Sequence, residues 1–150
     1  MIQIKRTDSN NPHFQLLVRE LDLELKVRDG DDHAFYAQYN KSDSIKFVVV
    51  AYENSVPVGC GALKEYDSDT MEVKRMYVPL EYRGKGIASF VLKDLEKWAA
   101  ELGYKKCILE TGENQPEAIQ LYTKNKYILI PNYGQYAGVE ASKCFEKYLS

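Results

Sequence analysis

Residues that bind metal ions or form disulfides are scarce in this sequence. Its three cysteines, Cys60, Cys107 and Cys144, are odd in number and widely separated, and it has only two histidines, His13 and His33. Structural zinc sites need several clustered Cys or His ligands, so this scarcity predicts that no metal is bound. Because free cysteines are often buried, we expect Cys107 and Cys144, which lie in apolar strand-like segments, to be reduced core thiols.

An excess of basic residues is also missing, since the net charge is −2. Domains that bind nucleic acid carry a basic surface, so the composition speaks against a nucleic-acid partner. No apolar run approaches the roughly 18 residues that span a membrane. The N-terminal stretch "MIQIKRTDSN" lacks the basic start, apolar core and cleavage site of a signal peptide. We therefore expect a cytoplasmic protein without a membrane partner.

No repeat, low-complexity tract or linker divides the 150 residues. This length suits one hydrophobic core, so we predict a single domain over 1–150. The composition leaves the oligomeric state open between a monomer and a homodimer. The twelve tyrosines are many for this length, and some of them are expected to line a pocket that is apolar on one side and hydrated on the other.

Hydrophobic periodicity predicts an α/β fold of the α+β type, with about four helices around a mixed sheet of six to seven strands. The N-terminal half of the sheet is expected to be antiparallel, with the turn "EYDSD" between two of its strands. Strand-like segments lie at 2–6, 45–52, 56–63, 71–78, 104–111, 126–130 and 142–149. Helical spacing occurs after Pro12, over 88–102 and after Pro116, and 28–41 is a Gly/Asp break followed by a short helix or loop. Gly59 and Gly61 indicate a bulge or a close approach within the second strand of a hairpin.

The stretch "RGKGIA", Arg83 to Ala88, stands between a strand and the clearest helix of the sequence. It fails the P-loop pattern, because Gly86 follows the lysine, and the dinucleotide pattern, because position 89 is serine. A helix N-terminus with two glycines still offers unpaired amides to an anion, and Arg83 and Lys85 add positive charge at its rim. From local physics, an anion site and an ordinary turn both stay open.

Arg83-x-x-Gly86-x-Ala88 matches the Q/R-x-x-G-x-G/A signature of the GNAT (Gcn5-related N-acetyltransferase) superfamily. "ETGENQPEAIQLYTKNKY" resembles the second conserved segment of that family, whose core is LYxxxGF. The order of elements is similar too, so the resemblance covers nearly the whole chain. It implies a GNAT fold with a splayed strand pair, acetyl-CoA as the acetyl donor, and a small stand-alone bacterial type of member.

The resemblance also implies which residues hold the cofactor. The pyrophosphate would be bound by the backbone amides from Arg83 to Ala88 and by the Ser89 hydroxyl. The strand end would pair with the peptide-like pantetheine, and an N–H near Tyr77 or Val78 would bind the carbonyl oxygen. Asn114 would lie near the pantetheine arm, although an asparagine just before a helix that starts with proline also suits a cap. The implied cofactor residues are Met76, Tyr77, Val78, Arg83, Gly84, Lys85, Gly86, Ile87, Ala88, Ser89 and Asn114.

Two residues match catalytic positions of the family. Tyr122 corresponds to the proton donor for the departing thiolate; without the motif it would be a tyrosine packed on the sheet. Glu72 corresponds to the base of the histone-type branch, and strand alternation puts it on one face with Lys74 and Met76. An exposed strand carboxylate is the alternative for Glu72. The family's glycine is replaced by Lys126, so we expect Asn125 to take the left-handed conformation and the helix to end one residue early.

The acceptor cleft is expected between the segment after the first helix and the last loop. Asp29, Asp31 and Asp32 either attract a cationic amine or form a solvated helix start. Aromatic walls are predicted from Tyr36, Tyr39, Tyr133 and Tyr136. The resemblance implies N-acetylation of the primary amine of a small or amino-acid-like molecule. The alternatives are a protein or peptide amine, a CoA-binding sensor without turnover, and a domain that binds a different phosphate ligand.

Overall fold

The computed structural model describes residues 1–30 and 45–149, which form one seven-stranded mixed sheet with helices on its two faces. The strand order is β1-β2-β3-β4-β5-β7-β6. The predicted strand number is thereby confirmed. The strands are β1 (Ile2–Thr7), β2 (Phe47–Glu53), β3 (Val56–Asp67), β4 (Thr70–Tyr77), β5 (Lys106–Gly112), β6 (Ile128–Ile130) and β7 (Ser142–Tyr148).

Three α-helices lie in the described ranges: α1 (Pro12–Asp29), α2 (Ile87–Glu101) and α3 (Pro116–Lys124). Most of the segment 28–41, where the sequence predicts a short helix or loop, lies outside the described residues. Its first two residues belong to α1 instead, which ends at Asp29 with Gly30 as its C-cap. None of these helices is long and apolar enough to cross a bilayer.

The first helix begins where the sequence predicts. Pro12 occupies the first turn, and the Asn11 side chain accepts hydrogen bonds from the His13 and Phe14 amides at 2.9 and 3.0 Å. This cap satisfies two amides that have no partner inside the helix. Phe14 and its apolar neighbours at helical spacing then pack on one face of the sheet, while α2 packs on the other.

The N-terminal half of the sheet is an antiparallel meander. Asn54 and Ser55 connect β2 to β3 with φ angles of 52° and 67°, the left-handed pair that a two-residue hairpin turn requires. The predicted turn "EYDSD" is placed differently, because β3 continues to Asp67 and only Ser68 and Asp69 turn. The Asp67 carboxylate stabilises that tighter turn by accepting the Asp69 amide at 2.9 Å.

β4, α2 and β5 form the parallel unit that the sequence predicts. β5 pairs with β4 only from Thr70 opposite Lys106 to Glu72 opposite Ile108. Beyond these three pairs β4 and β5 separate, while β7 pairs with the other edge of β5 along its whole length. The splayed strand pair expected for the fold is therefore present.

A bulge in β4 changes which face its last residues present. Arg75 has a φ of 58°, and the register between β3 and β4 shifts between Cys60 and Ala62. A Cβ built on Gly61 would lie 2.5 Å from the Met76 sulfur and 2.7 Å from Leu95 Cδ1, so glycine is needed where side chains from β4 and α2 crowd β3. The expectation that Met76 shares a face with Glu72 is wrong, because the extra residue of the bulge turns Met76 toward α2.

The end of α3 also corrects a prediction. The helix ends at Lys124 as expected, but Asn125 has a φ of −88° and it is Lys126 that adopts the left-handed conformation, with a φ of 73°. The side-chain amide of buried Asn125 donates hydrogen bonds to Leu121 O at 2.8 Å and to Ser89 Oγ at 3.1 Å, which fixes Asn125 in its place. The left-handed conformation therefore falls on Lys126, the exposed next residue.

Candidate active site

The loop before α2 has the shape of an anion cradle. Gly84 and Gly86 have φ angles of 80° and 81°, and Gly86 is the N-cap of α2. A Cβ at either glycine would meet no atom within 4 Å, so the backbone conformation rather than crowding requires glycine here. The first amides of a 15-residue helix are thereby directed outward, an arrangement that binds phosphate groups.

The two basic side chains of the loop, Arg83 and Lys85, have different partners. Arg83 Nε donates to the Val78 carbonyl at 2.7 Å, and its Nη2 donates to Glu24 of α1 at 2.7 Å. Lys85 lies 5.8 Å from the centre of the Tyr82 ring. The Arg83 guanidinium fastens the loop to α1 through Glu24, so its positive charge at the rim is already paired with a carboxylate.

A cavity of about 410 Å³ opens beside the cradle. It runs from the start of α2 past the end of β4 to α3. Of the residues predicted to hold the cofactor, nine line this cavity: Met76, Tyr77, Val78, Arg83, Gly84, Gly86, Ile87, Ala88 and Ser89.

Lys85 and Asn114, also predicted to hold the cofactor, are absent from the walls of this cavity. Asn114 is exposed, and the N-cap of α3 is Gln115 without a side-chain bond, so Asn114 is not the helix cap that the sequence left as an alternative.

The cavity wall on the side of α1 is held by ion pairs. Glu24 pairs with Arg83, and Arg28 pairs with Glu117 of α3.

A second, smaller cavity of about 100 Å³ lies between β4, β5, the end of α1 and the last loop. Its polar walls contain the predicted Glu72 and Asp29, the latter buried rather than part of a solvated helix start. Tyr136 also lines it, as the sequence predicts. Asp31, Asp32, Tyr36 and Tyr39 lie outside the described residues. The two cavities share five lining residues: Leu21, Met76, Gln115, Ala118 and Tyr122.

Tyr122 is thus at the junction of the large and the small cavity. It is buried in the described structure, and its ring packs against Tyr127 and Phe145 with centroids 5.8 and 6.4 Å apart. Burial, and then the negative charge of Glu110, raise the pKa of Tyr122 well above its ordinary value. The hydroxyl therefore stays protonated at neutral pH, which leaves it a hydrogen-bond donor.

Glu72 faces the small cavity but is already engaged on both oxygens. The Tyr133 hydroxyl donates to Oε2 at 2.7 Å, and Lys74 Nζ lies 3.7 Å from Oε1. Burial, and then the Glu72 charge, raise the pKa of Tyr133 far above its usual range, so this hydroxyl keeps its proton. The sequence predicts Tyr133 as an aromatic wall, but Tyr133 lines neither cavity and instead donates this hydrogen bond to the candidate base.

Sequence reasoning missed Glu110, which lines the small cavity from β5. Burial raises its pKa from 4.5 to about 7, against a weaker opposing effect of the Ser142 hydroxyl. The signal was present in the sequence: a lone acidic residue ends the apolar run "CIL", where a strand core seldom tolerates charge. In the described ranges, no group of three or more His, Cys, Asp or Glu side chains is arranged to hold a metal ion.

Comparison with known proteins shows which family the chain belongs to. Residues 14–127 match the family described as the acetyltransferase (GNAT) family. The chain belongs to the GNAT acetyltransferase family. It is 33% identical over 140 residues to an IAA acetyltransferase of Azospirillum brasilense, covering 89% of this chain and 88% of that protein. It is 32% identical over 126 residues to the uncharacterized N-acetyltransferase YjgM of Escherichia coli, covering 77% and 75%.

Solved structures share the GNAT fold over the full chain. A putative acyl-CoA N-acyltransferase from Klebsiella pneumoniae has a TM-score of 0.83 at 26% identity and covers 100% of this chain and 99% of its own. A GNAT acetyltransferase from Elizabethkingia anophelis, solved with acetyl-CoA bound, has a TM-score of 0.71 at 20% identity, with coverages of 99% and 98%. The predicted GNAT fold and acyltransferase class are confirmed. The predicted acetyl donor, acetyl-CoA, agrees with the ligand in the second structure.

Proposed function

We propose that this GNAT protein transfers an acetyl group from acetyl-CoA to the primary amine of a small molecule by direct attack. One observation carries the proposal: Tyr122 lies where a large cavity that begins at an amide cradle meets a small cavity lined with carboxylates. The donor fits the first cavity and the amine fits the second. The two reactants would therefore meet at a buried hydroxyl.

The large cavity fits CoA by its chemistry. The amides that follow Gly84 and Gly86 suit the pyrophosphate, and the Ser89 hydroxyl can donate to it because it accepts the Asn125 amide at 3.1 Å. The last residues of β4, Met76 and Tyr77, line this cavity and are not paired with β5, so their backbone groups on that edge are available to the peptide-like pantetheine. When bound, acetyl-CoA supplies a thioester whose acetyl carbon is open to attack by an amine.

Tyr122 is proposed as the hydrogen-bond donor to the sulfur as the carbon–sulfur bond breaks. Because its pKa is raised, Tyr122 is a weak acid. It keeps its proton before the reaction and transfers it only as negative charge develops on the sulfur. Glu72, the base expected from the sequence, lines the acceptor cavity and remains a candidate for taking the amine proton.

The acceptor is proposed from the charge of the small cavity. Among the described residues, Asp29, Glu72 and Glu110 face Lys74 and Arg75 there. Arg75 is also paired with Asp22 at 2.6 Å, which leaves an excess of negative charge in the cavity. A small amine enters such a site as its ammonium form. The size of the cavity, about 100 Å³, favours a small molecule over a folded protein substrate.

The test combines binding and turnover. Acetyl-CoA should raise the melting temperature of the purified protein, and CoA thiol should be released when primary amines are added. Tyr122→Phe should lower kcat by about 10²-fold or more while the Kd for acetyl-CoA changes little, because only the hydroxyl is lost. Tyr127→Phe is the matched control, since Tyr127 packs on Tyr122 but lines neither cavity.

A folded protein without a melting shift at saturating acetyl-CoA would contradict the proposal at the binding step. Binding without thiol release across amines, amino acids and peptides would favour a CoA sensor. An equal rate for wild type and Tyr122→Phe would remove Tyr122 from the reaction. Equal losses in Tyr122→Phe and Tyr127→Phe would show that the effect comes from packing.

A further inference from the structure

We propose that Glu110, rather than Glu72, is the general base that takes a proton from the ammonium group of the acceptor. This inference rests on the proposed function and assigns a role to a residue that the sequence did not single out. It follows from the place of Glu110 in the sheet, the partners of its carboxylate and the charges around it.

Glu110 lies where the sheet opens. β5 leaves β4 after Ile108, and two residues later Glu110 is opposite Cys144 of β7. Glu110 lines the small cavity together with Tyr122, and after burial its charge is the second cause of the raised pKa of the Tyr122 hydroxyl. An amine held in this cavity would have a carboxylate beside it and the donor hydroxyl at the cavity junction.

The oxygens of the two glutamates differ in their partners. Glu72 accepts a hydrogen bond from Tyr133 and faces the Lys74 ammonium, so both of its oxygens are engaged. Glu110 Oε2 is buried and has no hydrogen-bond partner among the described residues. A buried oxygen without a partner is costly, and a proton or a bound ammonium group would remove that cost. Of the two glutamates, Glu110 is therefore the one with an oxygen available to accept a proton or a hydrogen bond.

The charges around Glu110 set its proton affinity near neutrality. Burial is the largest cause that raises its pKa, the Ser142 hydroxyl and Lys74 lower it, Glu72 and Asp29 raise it, and the net result is a pKa of about 7. A base with this pKa is ionised often enough to accept a proton and basic enough to hold it. The titratable and charged groups that face it from the surrounding elements are Asp29, Glu72, Lys74, Arg75, Tyr122, Tyr136 and Cys144.

The protons of the reaction then balance. The acceptor enters as R–NH₃⁺ and gives one proton to the Glu110 carboxylate. The neutral amine forms the new carbon–nitrogen bond, and the carbon–sulfur bond breaks with its electron pair on sulfur. Tyr122 donates its proton to the sulfur, and the second proton of the nitrogen then reprotonates Tyr122. The third proton stays on the nitrogen of the amide product. Glu110 returns its proton to solvent. Protonation of Glu110 removes the charge that raises the Tyr122 pKa, so the donor becomes a stronger acid when it is needed.

A direct test follows the carboxyl proton by ¹³C NMR of protein labelled at the glutamate carboxyl carbon. One resonance should titrate near pH 7 in the wild type and in Glu72→Gln, and be missing in Glu110→Gln. Adding n-butylamine hydrochloride should lower that midpoint, because the ammonium ion stabilises the carboxylate. A wild type without a glutamate resonance titrating near neutrality, or a resonance that persists in Glu110→Gln, would overturn the inference.

Thiol release with n-butylamine, 1,4-diaminobutane and glycine methyl ester tests the catalytic part. Glu110→Gln should lower kcat by about 10²–10⁴-fold with an unchanged Kd for acetyl-CoA, and its kcat/KM should lose the rise through pH 7. Glu72→Gln should keep that rise. If Glu72→Gln loses the rise and Glu110→Gln keeps it, the inference is wrong. No thiol release from wild type with any of the amines would count against the proposed function, and the NMR titration would still judge Glu110 separately.

Discussion

Replacing Glu110 by glutamine should make the protein more stable above pH 7 while it removes activity. Glutamine has nearly the same shape but carries no charge, so the buried oxygen that lacks a partner is no longer ionised at high pH. The substitution separates two effects of one carboxylate: its cost to folding and its use in proton transfer.

The magnitude follows from the pKa shift. The pKa of Glu110 rises from 4.5 to about 7 on folding, so the folded state holds this proton more tightly than the unfolded state. The stability that this proton contributes to the folded state is fully present below pH 4.5 and is lost as pH rises through 7. Since one pKa unit corresponds to about 1.4 kcal/mol, the loss over the whole window is about 3 kcal/mol. Between pH 5 and 8, about 2–3 kcal/mol of it should be lost.

Urea denaturation of wild type and Glu110→Gln at a series of pH values measures this loss. The difference in free energy of unfolding should move by about 2–3 kcal/mol in favour of the variant between pH 5 and 8. In thermal melts this corresponds to about 5–10 °C for a chain of this size. Glu113→Gln is the control, because it removes the same charge from an exposed residue just beyond β5.

A difference that stays constant from pH 5 to 8 would refute the reasoning, because it would mean that Glu110 has its ordinary pKa in the folded protein. A difference that moves the other way would mean that a neighbouring cation stabilises the carboxylate. The same pH dependence in Glu113→Gln would assign the effect to net charge. Only a change specific to Glu110→Gln supports both the stability argument and the proposed base.

Three further substitutions test other parts of the structure by urea denaturation. Lys126→Gly should stabilise by about 1 kcal/mol, because glycine adopts the left-handed conformation of this exposed residue without strain; destabilisation would contradict this. Gly61→Ala should cost about 1–3 kcal/mol, because its Cβ would meet the Met76 sulfur at 2.5 Å, and a neutral result would mean that Met76 moves aside easily. Arg83→Leu should cost about 1 kcal/mol and weaken acetyl-CoA binding, since the loop loses its bonds to Val78 O and Glu24; unchanged stability and affinity would show that the loop does not need this anchor.

Local sequence was sufficient wherever neighbouring residues decide the structure. The Asn11 cap with Pro12, the period of α2 and the alternating strands depend on contacts within a few residues, and the structure has them where the patterns predict. The amide cradle is also local, because the φ angles of Gly84 and Gly86 need only a turn and a helix start. The family motifs around Arg83 and Tyr122 gave the fold and the enzyme class.

Tertiary structure decided what depends on distant parts of the chain. The bulge at Arg75 turns Met76 to the other face, a shift that no alternation pattern encodes. The left-handed residue is Lys126 because Asn125 is held by Ser89, 36 residues away.

The two glutamates of the small cavity show the same division. Glu72 matched a family position, yet Tyr133, 61 residues along the chain, and Lys74 occupy its oxygens. Glu110 matched no catalytic position, and its raised pKa comes from burial that exists only when β4, β5, α1 and the last loop come together. The sequence by itself determined the fold, the enzyme class and the amide cradle, because these depend on local periodicity, backbone conformation and motif. Which carboxylate is free to take a proton depends on desolvation and on partners, and both exist only in the folded protein.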